Sequence, residues 1–99
     1  MNLEAWIKLI QALTPVIIAI SEPLLKNASD QITASMIKAE KTQMNGPDKL
    51  DLVIKEVVTS NNVDTLTKNE QEDRVTKVVD MAIAAANTVA RMEHFNKES

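Results

Sequence analysis

From Leu3 onward, large apolar residues recur at alternating steps of three and four: Leu3, Trp6, Ile10, Leu13, Ile17, Ile20 and Leu24. That spacing predicts an α-helix carrying a heptad-type seam. As far as Thr14 the other face is polar, with Asn2, Glu4, Lys8 and Gln11. From Pro15 to Ile20 the polar face disappears, which predicts burial on all sides or contact with lipid. Thr14-Pro15 and Ser21-Glu22-Pro23 each place a cap residue before a proline, as helix starts do, so a kink or restart is expected near 14 and near 22. Past Lys26 the seam continues through the smaller Ala28, Ile32, Ser35 and Ala39, with Met36 beside it. Asn27, Ser29 and Asp30 are weak helix formers and good caps, which predicts a further break near 27–30. The segment is expected to end at Met44-Asn45-Gly46-Pro47, with Gly46 in the left-handed position and Pro47 unable to continue the helix.

A second, short helix is predicted from about Pro47 to Ser60, with Leu50, Val53, Ile54, Val57 and Val58 on one face and Asp48, Lys49, Asp51, Lys55 and Glu56 on the other. Ser60-Asn61-Asn62-Val63-Asp64 reads as a turn. Thr67-Lys68-Asn69-Glu70 is a capping box that opens a third helix, expected to reach about His94. Its packing face is Val75, Val79, Ala82, Ala86 and Val89, and the narrowing to alanine in the middle suits close approach to a neighbouring helix. The fold expected is all-α: a long, interrupted N-terminal helical segment over 1–44, then a small helical region over 45–99.

Composition sharpens this picture. One glycine and three prolines in 99 residues leave few places to turn, which suits long helices and not a sheet. Trp6 and Phe95 are the only aromatic residues, so Leu, Ile, Val, Ala and Met must supply any core. With no cysteine there is no disulfide framework and no thiolate metal site. The formal charge is −3, and no basic footprint of the kind that dominates nucleic-acid affinity is present, so nucleic acid is not an expected partner. Glu4 stands where a cleavable signal peptide would carry basic residues.

The stretch from Met36 to Asn87 resembles the C-terminal half of a phage protein family, the LLH-type holins. The residues that carry the resemblance are "MIKAEKTQMNGPDKLDLVIKEV" followed by "VDTLTKNEQEDRVTKVVDMAIAAANTV". They hold an Ala-Glu helix end, a Gly shortly before Lys49 at the opening of a short helix, an Asp-x-Leu-Thr turn, and a helix with an Ala-rich end and Asn87. The resemblance implies a small, phage-encoded helical protein that self-associates in the host cytoplasmic membrane and permeabilises it for lysis. Under it, residues 5–25 would be the membrane span, with Lys8 near enough to one end to snorkel.

The residues themselves leave a second reading open. Lys8, Gln11 and Glu22 fall within the apolar stretch, so residues 3–25 also read as a protein–protein seam of a soluble assembly component in a virion or in host cytoplasm. A straight helix from Leu3 to Met44 would extend about 60 Å. The seam reads either as the core of a bundle within one chain or as a seam between copies. Two later helices could cover only part of such a helix, so the uncovered length would need lipid or another subunit, which favours a homo-oligomer or contact with other phage proteins. No catalytic site is expected. Ser21, Ser29, Ser35 and Ser60 have no evident base partner, and no glycine-rich phosphate loop is present. No metal site is expected either: His94 is the lone histidine, with Arg91 and Lys97 at helical spacing. Asn61-Asn62-Val63-Asp64 is too short for a calcium loop, and Glu70, Glu72 and Asp73 read as favourable charges on a helix N-terminus. No cofactor and no small-molecule substrate is expected, and the chain is not expected to be an enzyme.

Overall fold

A computed structural model describes residues 2–60 and 66–98 of the chain. Helix α1 runs Leu3–Ser21, a 3-10 turn Pro23–Ala28, α2 Ser29–Glu40, α3 Gly46–Ser60 and α4 Lys68–Glu98. The fold is all-α. The helices pack as an up-and-down bundle: α1 lies against α2 and α4, α3 lies against the same two, and α1 and α3 face each other across the diagonal. Helix α4, about 46 Å long at 1.5 Å per residue, runs nearly the full 50 Å of the molecule.

Local chemistry accounts for each boundary. Asn2 caps α1 by accepting the amide of Ala5 at 2.8 Å. Pro15 lies inside α1 without ending it, so the helix does not restart near 14 and runs on to Ser21. The proline removes one bond to the carbonyl of Gln11, and Gln11 is an exposed residue. The restart expected near 22 is present. Glu22 leaves the helical region with φ −139° and ψ 65°, and Pro23 opens the 3-10 turn.

This break overturns the argument from a 60 Å helix. The chain reverses after Ser21, and α2 returns along α1, so Leu25, Ala28, Ile32, Met36 and Ala39 are buried inside one chain. Helix α2 ends at Glu40, earlier than the Met44 read from sequence, with Thr42 donating both its amide and its hydroxyl to the Ala39 carbonyl. Gly46 is not left-handed. It is the first residue of α3, and Asn45 caps that helix by accepting the amide of Asp48 at 2.9 Å. The stop at Met44–Pro47 is therefore built as a helix start. Thr67 accepts the amide of Glu70 at 3.1 Å, as half of the capping box requires, and α4 continues past His94 to Glu98. Asn61 to Asp64 and the side chains of Ser60 and His94 lie outside the described residues.

The core is a stack of Ile10, Ile18, Leu25, Ile32, Met36, Val53, Val57, Val75, Val78 and Ala82. On α4, Val75, Val79, Ala82 and Ala86 are buried and Val89 is half-buried. The two hairpins are also pinned by charge. Ser35 donates to Glu56 at 2.9 Å and Lys38 pairs with the same carboxylate, joining α2 to α3. The Lys38 hydrogen bond, with that of Ser35 second, holds the Glu56 carboxyl below its ordinary value of 4.5.

Candidate functional site: the outer face of helix α1

Helix α1 presents two apolar faces. The inner face is set by Ile10, Thr14 and Ile18, all fully buried at steps of four. Thr14 is polar, and its hydroxyl is satisfied in the core by the Met36 sulfur at 3.8 Å. The line continues to Glu22 and Leu25, both buried. Glu22 accepts from Arg74 of α4 at 2.6 Å, with only 9% of its own side chain exposed. Arg74 stands near the start of α4 and Glu22 just beyond the end of α1, so this pair fixes the antiparallel register of the two helices. A carboxylate that reads from sequence as a flaw in an apolar stretch is the polar clasp at the end of α1.

The outer face is uncovered. Leu9, Leu13, Val16, Ile20 and Leu24 recur at steps of four, three, four and four, and Ala5, Ala12 and Ala19 lie beside them exactly seven apart. Val16 is 53% exposed, Ile20 77% and Leu24 49%. The small alanines leave room for a second backbone to come close. The charged residues of this helix, Glu4 and Lys8, pair with each other at its N-terminal end and leave the rest of the face apolar. The exposed part of this face is Ala12, Val16, Ala19 and Ile20, with Leu9 and Leu13 half-buried beside it and Leu24 beyond the end of the helix.

The seam read from sequence is divided between these faces. Ile10 is in the core, Trp6, Leu13 and Ile17 are half-buried at the boundary, and Leu3, Ile20 and Leu24 are exposed. The reason is the period. A strict alternation of three and four averages 3.5 residues per turn and drifts about 20° per heptad around a straight helix. The line therefore drifts off the core face after Ile10, while Leu3 is exposed as the first residue of α1 and Leu24 lies past the end of that helix. Counting apolar residues alone also passes over Thr14 and Glu22, which belong to the buried line.

Among the described residues, no three His, Cys, Asp or Glu side chains come together in a way that would hold a metal ion. By length and composition, α1 is apolar enough to cross a membrane. The chain matches no known protein-family model, no curated protein and no solved structure.

Proposed function

We propose that this protein is a non-enzymatic helical assembly component that self-associates through the outer face of α1. The observation that carries the reading is the exposed set Ala12, Val16, Ala19 and Ile20, flanked by half-buried Leu9 and Leu13, on a helix whose opposite face is already occupied by its own bundle. A helix used only as core would expose polar residues on that side. The row is self-complementary: leucine, valine and isoleucine ridges alternate with the alanines at 5, 12 and 19, so two copies of the same face can interlock. The bundle supports association in the folded state, because α1 already shares Ile10, Thr14 and Ile18 with α2 and α4 and is clasped by Glu22 and Arg74.

The test is the solution mass of the full chain by light scattering, beside Val16→Asp and Ile20→Asp. The expected result is a defined oligomer that both substitutions reduce to a folded monomer. A wild-type chain that remains monomeric at high concentration overturns the reading. A second reading is holin-like permeabilisation of a bacterial membrane by α1. It is favoured by one observation: α1 is 19 residues long and only 17% of its apolar window is buried in the bundle. Fractionation of the expressed chain separates the two. A carbonate-resistant membrane pellet supports the span, and a soluble oligomer supports the assembly.

A further inference from the structure

At the opposite side of α1 from its outer face, the N-terminal half of the bundle opens into a groove of about 610 Å³. All four helices contribute to it. Its floor is Met36, Ala39, Val53 and Val79, all buried, and Trp6, Leu50 and Ile83 form half-buried walls. The volume falls within the range of sites that hold one small ligand. A three-turn helix, about 16 Å long and 10 Å across, would occupy roughly twice that space.

The rim carries three charges in reach of the groove. On one side Lys49 of α3 pairs with Glu40 of α2 at 3.3 Å, and both side chains are largely covered, so this pair is neutral as a unit. On the other side stands Asp80 of α4, exposed and without a hydrogen-bond or ion-pair partner among the described residues. An apolar cleft with one unpaired carboxylate at its mouth complements a ligand with an apolar body and a single positive charge. An anionic ligand would meet Asp80 and find its only cation already engaged by Glu40.

We propose that this groove binds a small cationic amphiphile, an aliphatic amine whose ammonium sits at Asp80 and whose chain lies between Trp6 and Ile83. The proposal stands apart from self-association, because the groove lies on the core side of α1.

Trp6, the only tryptophan in the chain, lines the groove and reports on it directly. Decylammonium, added below its micelle concentration to the full chain, is expected to change Trp6 fluorescence saturably and at lower concentration than decyl sulfate. Asp80→Asn is expected to weaken decylammonium by about two- to fivefold, the size of an exposed ion pair, while leaving decanol unaffected. Ala84→Phe, placed on the groove wall, is expected to weaken both amine and alcohol by about tenfold through overfilling. Ile20→Asp, on the outer face of α1, is expected to leave the titration unchanged. Equal affinity for the amine and the sulfate, insensitivity to Asp80→Asn, or loss of the signal in Ile20→Asp would each overturn the proposal, the last by assigning the signal to the outer face. A response that rises without saturation up to micelle formation overturns it as well. Should Ala84→Phe fail to fold, the exposed Asp80 carries the test alone.

Discussion

Ile10 and Ile20 are the same residue type on the same helix, and the bundle treats them oppositely. Ile10 is completely buried and Ile20 is 77% exposed. Replacing each by alanine deletes the same atoms, so the comparison isolates the role of each face. At Ile10, three carbon groups leave the core at about 0.8 kcal/mol each, and a cavity term adds to them. The total is about 2–5 kcal/mol. For a chain of this length each kcal/mol is worth roughly 4–8 °C, so the midpoint should fall by about 10 °C or more. At Ile20 no core atom is lost. Alanine is the better helix former by a few tenths of a kcal/mol, so the isolated monomer should be unchanged or slightly more stable. Urea denaturation over a range of protein concentrations reads both effects. Wild type and Ile10→Ala should show a midpoint that rises with concentration, as linked association requires, and Ile20→Ala should lose much of that dependence. An Ile10→Ala variant within about 0.5 kcal/mol of wild type would refute the packing of α1 described above. An Ile20→Ala variant as unstable as Ile10→Ala at every concentration would show that the outer face is covered within the monomer.

Other consequences can be measured separately. Arg74→Ala should destabilise the chain by about 1–3 kcal/mol, less than a fully buried pair because Arg74 is 36% exposed. Glu22→Gln should cost less, since it leaves no buried charge, and equal effects in chemical denaturation would contradict the clasp. Because the Glu56 carboxyl is held below its ordinary 4.5, its contribution to stability is complete above that value and is lost as the pH falls through the lowered one. Lys38→Ala should move the Glu56 titration upward in carboxyl NMR, and Ser35→Ala should move it upward less. Gly46→Ala should stabilise by about 0.4–1 kcal/mol, because Gly46 has no positive φ and a Cβ there meets nothing within 4 Å. A loss of stability would restore the left-handed reading of that position.

The helices were legible in the sequence wherever a cap and a period agree. Thr67 and Glu70 mark the start of α4, Pro23 marks the restart after Glu22, and the spacing of Val75, Val79, Ala82 and Ala86 gives the buried line of that helix. The reading fails where a residue type carries two meanings. Pro15 reads as a break, yet α1 runs through it, with the residue whose carbonyl loses its bond, Gln11, on the exposed surface. Gly46 reads as a helix end, yet Asn45 before it supplies a cap and turns the same four residues into a beginning. The site was half legible. The sequence shows that α1 is too apolar for an ordinary surface helix, but not which side faces its own bundle, because that depends on α4, whose Arg74 finds Glu22 across 52 residues. The groove was not legible at all. Its walls come from four separate helices, and no local pattern connects Trp6 with Lys49, Asp80 and Ile83.

The pairing of α1 with α4 also sets an order in time. On the ribosome, α1 emerges before every element that covers its inner face, and the stretch of α4 from Val75 to Ala86 emerges more than fifty residues after Ser21. At about 5–20 residues per second, α1 waits several seconds without α4 beside it. During that interval nothing but α2 is available to shelter Ile10 and Ile18, and a helix of this composition is open to capture by a membrane or by a nascent neighbour on the same message. The fate of α1 is therefore a race between release of α4 and encounter with another apolar surface. Slowing or speeding translation between Gly46 and Lys68 would change the outcome without changing a single residue.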